Sequence, residues 1–459
     1  MNNKIDISQQ MATTSVWKLM VKLSIPAILA QIVNLLYNVV DRIYIGHMED
    51  VGTMAITGVG LCNPIIVLIS AFTMLVAQGG APRAAIEMGK GNTKKAEKIL
   101  GNCLSLLIVL SVVLTTIFLI FGEKFLMLFG ASESTIVYAL PYMKIYVAGS
   151  IFVMLSLGLN MFITTQGFTK ISMATVLIGA ICNIVLDPIF IFGFKMGVRG
   201  AALATIISQA VSAVWVLSFL IGNKTKLKIR KENLLPNMKI LAPVLALGIS
   251  PFIMNATEAV INIAFNSSLQ KYGGDIAVGA MTICTTVFQM AWVPAQGIGQ
   301  GAQPIISYNY GAGNADRVKQ AFKAFLTICF TYVFVFGMAI EIFPQFFIGI
   351  FNDNPQLVDT ATWTIRLYGC AMVFFGVQLA VQQTFIALGK AKASLFIACL
   401  RKVILLVPLI YILPNFFEDK VFAVFLAEPV SDAISIIAAS ITFIIVFTKE
   451  MKQMKAKNQ

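Results

Sequence analysis

The chain has 459 residues, of which 58% are hydrophobic and 12% charged, with a mean hydropathy of +0.84. A soluble domain carries roughly a quarter charged residues, so this composition cannot coat a water-soluble globule. It excludes a soluble enzyme, a disordered chain and a coiled coil, and points to lipid as the solvent. The net charge of +13 would suit nucleic acid, but the basic residues sit in short loops between apolar runs, as topology signals do. No nucleic-acid partner is expected; the lipid bilayer is. The seven cysteines are odd in number and lie in or near apolar runs, which reads as packing, not disulfides or metal ligation. No secretory signal is expected, because the first apolar run is too long for one.

Taken in chain order, apolar runs separated by charged or Gly/Pro-rich breaks predict twelve helices, at 19–45, 53–81, 100–122, 136–160, 162–192, 198–221, 240–269, 276–306, 321–349, 360–386, 394–414 and 421–448. Each is long enough to cross a hydrocarbon core of ~30 Å. None shows the alternation of a barrel strand. Of the 34 Lys and Arg residues, Arg42, Lys124, Lys195, Arg199, Lys271 and Lys420 fall on one side of this arrangement. Lys144, Arg366, Arg401 and Lys402 fall inside spans, and the remaining 24 share the side of both termini. That bias places the N- and C-termini in the cytoplasm.

The chain repeats itself. Gln78-Gly79-x-x-Pro82 followed by Gly89-x-Gly91-Asn92 closes the second span, and Gln300-Gly301-x-x-Pro304 followed by Gly311-x-Gly313-Asn314 closes the eighth. All six positions are 222 residues apart. The fold class is therefore an all-α membrane protein with twelve transmembrane helices in two pseudo-symmetric six-helix lobes. The expected division is an N-terminal lobe at 1–222, a cytoplasmic basic linker at 223–239, a C-terminal lobe at 240–448 and a cytoplasmic tail at 449–459. Paired lobes of shared orientation are a transporter architecture.

Polar groups at lipid depth are costly and are functional candidates by default. Asn34, Tyr37, Asn38 and Asp41 form a stripe on one face of the first span, at spacings of three and four. Asn183 and Asp187 share a face of the fifth span, and Thr205 lies early in the sixth. At 1.5 Å per residue, Asp41, Asp187 and Thr205 each lie ~8–12 Å from loops on the outer side, so they can share one pocket with Asn183. Two nearby carboxylates resist being ionised together, which suits a proton-accepting site. Na⁺ among hard oxygens is the other reading. In the second half, Asn255, Glu258, Asn262 and Asn266 repeat the stripe on the seventh span. Gln378 lies on the tenth span, Arg401 on the eleventh and Glu428 near the repeat position of Thr205. This set is a candidate substrate or second-lobe polar site, in which Arg401 can pair with either acid. Pro26 and Pro251 interrupt the first and seventh spans, and a kink at Pro26 would couple occupancy at Asp41 to helix bending.

Neither a metal motif, a nucleophile elbow nor a Walker sequence is present in the chain. The expectation is therefore a protein that is not an enzyme.

Pro26 and Asp41 on the first helix, Asn183-x-x-x-Asp187-Pro188 and Gly200-Ala-Ala-Leu-Ala-Thr205, within twelve helices in two lobes, together resemble the multidrug and toxic compound extrusion (MATE) family. The similarity is to its bacterial MepA-like and DinF-like members and covers nearly the whole chain. The resemblance implies export of organic, mostly cationic amphiphilic compounds, driven by inward Na⁺ or H⁺, from a bacterial inner membrane. It implies a first-lobe cation site of Asp41, Asn183, Asp187 and Thr205, with Tyr37 nearby and Pro26 as the bending point. Beyond the coupling ion no cofactor is expected, and a monomer is. The tenth span carries Gln378, Gln382 and Gln383 where some relatives carry an acid, which favours the first lobe as the ion site. The alternatives are a lipid or lipid-linked-sugar flippase of related architecture and a non-transporting membrane sensor.

Overall fold

A computed structural model describes residues 7–48, 51–351 and 355–458. Among these residues the fold is helical, with no strand. Among the described residues, nine helices are long and apolar enough to cross a membrane, and two bent pairs, Glu133–Ala148 with Ser150–Thr165 and Pro355–Gly369 with Met372–Ala387, add one crossing each. The helix Met238–Gly311 runs for 74 residues, broken at Gly274, where φ is 62° and ψ −160°. At 1.5 Å per residue it would be ~110 Å long if straight. Instead it doubles back, and Met254 to Asn262 line one cavity with Met281 to Trp292. It thus supplies the seventh and eighth spans, and the architecture is that of an all-α membrane protein with twelve transmembrane helices in two six-helix lobes.

Lipid is visible in which faces are apolar. On helix Thr93–Leu128 the residues Cys103, Leu107, Leu114 and Phe118 are buried, whereas Ile108, Val112 and Ile120 are exposed. An aqueous surface would oppose such exposure; hydrocarbon does not.

The repeat marks identical turns. Gly91 and Gly313 both adopt left-handed backbone, with φ of 77° and 75°. The asparagine that follows each one caps the next helix: Asn92 Oδ1 accepts from Lys95 N at 3.2 Å, and Asn314 Oδ1 from Arg317 N at 3.1 Å. Glycine is needed for the positive φ, and asparagine for the unsatisfied helix N–H groups.

The chain forms two compact units whose composition is exchanged at the first helix of each half. One unit holds Leu29–Gly248; the other holds Gln9–Ile28 together with Ile249–Gln459. The helix Val16–Gly46 thus changes unit two residues after Pro26, and the seventh span changes unit two residues before Pro251. Glycines make room for the exchanged segments. A Cβ on Gly79 would lie 2.1 Å from Val244 O, and one on Gly301 would lie 2.6 Å from Ser24 Cα. These two glycines belong to the repeated motif. Arg317 fixes the N-terminal segment further, donating to Met11 O at 2.9 Å and Thr14 O at 2.8 Å.

The basic segment 223–239 is pinned within the unit that holds Leu29–Gly248. Gln166 Oε1 accepts from Thr225 Oγ1, Lys226 N and Leu227 N at 2.9, 2.8 and 3.0 Å. Glu97 accepts from Lys228 N at 3.2 Å and Arg230 Nε at 2.7 Å. The helix Lys420–Asn458 continues through the expected tail; Gln459, like Met1–Asp6, lies outside the described residues.

Candidate functional site

In the first lobe, the fifth span runs as helix Thr169–Pro188 and ends in a π-turn, Ile189–Gly193, closed by Phe194 N donating to Ile189 O at 2.8 Å. Proline 188 supplies no N–H, so a regular turn is broken there. The sixth span, Val198–Ile221, packs directly on that turn: a Cβ on Gly200 would lie 2.7 Å from the carbonyl carbon of Phe190. This close approach sets Thr205, five residues on, opposite Asn183.

Asn183 Nδ2 lies 3.2 Å from Asp187 Oδ1, to which it donates, and 3.5 Å from Thr205 Oγ1. Asp41, from the first span, has its carboxyl close enough to that of Asp187 for the two to interact. Asp187 is fully buried and Asn183 nearly so. Three buried oxygens here have no hydrogen-bond partner: Asp41 Oδ1, Asn183 Oδ1 and Asp187 Oδ2. Facing carboxylates have no donor to offer each other, and leaving such groups buried and unsatisfied is costly. A proton between them, or a cation among them, removes the conflict. The donor set is two carboxylates, an amide oxygen and a hydroxyl, all hard oxygens of the kind that suits an alkali or alkaline-earth ion. Among the described residues, no group of three or more His, Cys, Asp or Glu is gathered as a metal cage.

Asn34 and Tyr37 line a small pocket of about 30 Å³ with Asn183 and Thr205. Asn38 does not join them; it is exposed, and its Nδ2 donates to Asn34 O at 2.6 Å. The same cavity is walled by Ser156, Asn160 and Gln209, with Ser156 Oγ donating to Gln209 Oε1 at 2.5 Å. Sequence reading did not single these out. The four-residue spacing of Ser156 and Asn160 was the available signal.

In the second lobe, a cavity of about 360 Å³ is lined by Asn255, Glu258, Asn262, Arg401 and Glu428, with Lys402 and Asp432. Arg401 Nη2 donates to Glu428 Oε1 at 3.0 Å, and its Nε to Asp432 Oδ1 at 2.6 Å. Glu258 pairs with Lys402, whose Nζ also donates to Met254 O at 3.1 Å. Of the two acids considered as partners of Arg401, only Glu428 pairs with it; Asp432, four residues on, completes the fork. Arg401 and Lys402 sit on a π-turn, Leu400–Leu406. Gln378 is buried behind this cavity, accepting from Ser435 Oγ at 3.1 Å, and Asn266 is exposed and does not line it. Gln382 donates to Ser250 Oγ, Ser394 Oγ and Ser394 O at 2.8–3.1 Å, so it ties the seventh span to the eleventh.

The MatE family model matches this chain twice, at residues 26–189 and 251–412. The multidrug export protein MepA of Staphylococcus haemolyticus (strain JCSC1435) is 25% identical over 91% of this chain and 92% of its own length. The protein of the same name from Staphylococcus aureus (strain NCTC 8325 / PS 47) is 24% identical over 88% of each chain. Among solved structures, a MATE protein in the bent conformation superposes with a TM-score of 0.91 at 21% identity, covering 98% of this chain and 99% of its own. An outward-facing multidrug resistance MATE family transporter of the MOP superfamily gives 0.88 at 22% identity, covering 97% and 98%.

Proposed function

The chain belongs to the MatE family, and from that premise we propose that it is a multidrug exporter coupled to an inward flow of Na⁺ or H⁺. The observation that carries the coupling is the trio of unpartnered buried oxygens on Asp41, Asn183 and Asp187. Its cargo is small organic cations, mostly amphiphilic; the two Staphylococcus relatives are named multidrug export proteins. The protein acts as a monomer in a bacterial cell membrane with both termini in the cytoplasm, and the 24-to-6 distribution of Lys and Arg supports that orientation.

In this reading Asp41 and Asp187 carry the charge that the ion neutralises. Asn183 holds Asp187 in place and offers its own carbonyl oxygen to the ion, and Thr205 closes the set from the sixth span. Coupling arises only if ion and drug favour different arrangements of the same chain. Pro26 supplies a place for that difference. It removes one backbone hydrogen bond from the helix that carries Asp41, two residues before that helix changes unit.

Vesicles reconstituted with the full chain test this reading. A fluorescent organic cation should be moved when a Na⁺ gradient or a pH gradient is imposed, and the two gradients applied separately identify the ion. If neither gradient moves any tested solute, the export reading falls and a non-transporting sensor takes its place.

A further inference from the structure

The two lobes differ at one corner of the repeat. In the first lobe, where the chain turns from the fourth span into the fifth, Phe168 packs edge-on against Phe219 of the sixth span, with 5.2 Å between ring centroids. At offsets of 222 and 223 residues, their places in the second lobe are taken by Lys390 and Thr442. An ammonium stem and a hydroxyl do not fill the space of two rings. Lys390 is drawn aside instead: its Nζ meets Glu450 Oε1 at 2.5 Å and lies 5.8 Å from the ring centre of Tyr310. The Tyr310 hydroxyl donates to the other oxygen of Glu450 at 2.8 Å. The corner is left as an open groove of about 630 Å³, with Lys390, Lys392, Phe396, Thr442 and Val446 in its lining.

The groove has two ends of different chemistry. Phe396 lies one turn deeper than Lys392 on helix Ala391–Cys399, and Val446 one turn deeper than Lys449 on helix Lys420–Asn458. On both walls, therefore, the apolar side chains come from the membrane side and the cations from the end where the C-terminal tail emerges. Lys390, Lys392 and Lys449 stand against one acid, Glu450, which leaves a surplus of two positive charges. Lys392 and Lys449 are both exposed, and among the described residues neither takes part in an ion pair. We propose that this groove seats one anionic phospholipid, with its phosphate held by Lys392 and Lys449 and an acyl chain laid over Phe396, Thr442 and Val446. Charge and polarity choose this occupant. A zwitterionic lipid brings no net charge to answer the surplus, and a soluble phosphate leaves the apolar floor uncovered. The second lobe thus fills with lipid the corner that the first lobe fills with its own rings. The proposal is independent of the coupling ion and of the cargo.

Native mass spectrometry of the full chain, delipidated in a neutral detergent and titrated with phosphatidylglycerol or phosphatidylcholine of the same acyl chains, tests it. The first phosphatidylglycerol should bind the wild type about tenfold or more tighter than the first phosphatidylcholine. Lys392→Gln and Lys449→Gln should each weaken phosphatidylglycerol binding about fivefold and leave phosphatidylcholine unchanged. Lys170→Gln removes the same charge from the matching turn of the first lobe and should change neither. Thr442→Phe restores one of the first-lobe rings with every lysine in place, and should abolish the preference for phosphatidylglycerol. Glycerol 3-phosphate, which carries the phosphate without the chains, should not displace the lipid. Equal binding of the two lipids by the wild type overturns the proposal, as does an equal loss in Lys170→Gln and Lys392→Gln, which would leave only a general attraction between basic protein and acidic lipid. Displacement by glycerol 3-phosphate overturns it as well, because the groove would then be a site for soluble phosphate. If Thr442→Phe does not fold, the comparison of Lys392→Gln with Lys170→Gln decides.

Discussion

Asn183 donates to Asp187 across one helical turn at 3.2 Å while its own side-chain oxygen stays buried and unpartnered. The amide therefore does two things at once. Its nitrogen orients one carboxylate oxygen, and its oxygen adds to a cluster that has acceptors in excess of donors. A proton, a cation or a hydrogen-bond donor entering the cluster would relieve that excess.

Substitutions at Asn183 and Thr205 should accordingly differ in size. Asn183→Ala removes both the donor to Asp187 and an ion ligand, and should lower the apparent ion affinity of export about tenfold or more, as expected for losing a hydrogen bond to a charged group. Thr205→Val removes only a hydroxyl at 3.5 Å from Asn183 and should cost no more than about threefold, while Thr205→Ser should be near neutral. Dye efflux measured against coupling-ion concentration checks both. Equal effects from Asn183→Ala and Thr205→Ser would contradict these roles.

The repeated glycines should be a stability feature. Gly79→Ala places a methyl 2.1 Å from Val244 O, and Gly301→Ala places one 2.4 Å from Ser24 Oγ. Each should destabilise the folded protein by about 1–3 kcal/mol, whereas Gly60→Ala, where a methyl meets open space, should not. The buried thiols of Cys62, Cys103, Cys284 and Cys329 report unfolding when a thiol-reactive dye is present during heating. The expected order is a lower midpoint for the first two variants and an unchanged one for Gly60→Ala.

The linker should be protected until its clamp is removed. Gln166 receives three hydrogen bonds from residues 225–227, and Leu227 is fully buried. Trypsin should cut the wild type slowly after Lys226, Lys228 and Arg230. Gln166→Ala should be cut several-fold faster at those sites, and equal rates would show that the clamp is without effect.

Much of this was readable before any coordinates, because lipid imposes long apolar runs and a repeat announces itself. Lys271-Tyr272-Gly273-Gly274-Asp275 separates two predicted helices, and the chain turns at Gly274. The convergence of Asn183, Asp187 and Thr205 followed from helical spacing and depth. The exchange of the first half of each leading helix did not, since no local pattern says which bundle a segment packs against. The repeated Gly79 and Gly301 were seen as a match, but their purpose, making room for a crossing backbone, needs the partner residue 165 or more positions away. The same limit hid which acid takes which base: Arg401 and Lys402 are neighbours in sequence, yet one faces Glu428 and Asp432 and the other Glu258.

The central claim is that the facing acids of the first lobe are the seat of energy coupling. Vesicles carrying Asp41→Asn or Asp187→Asn, inserted at wild-type levels and challenged with the gradient that drives the wild type, measure it directly. The expected result is loss of gradient-driven uptake of a fluorescent cation in both variants. Wild-type uptake in either one would contradict the account.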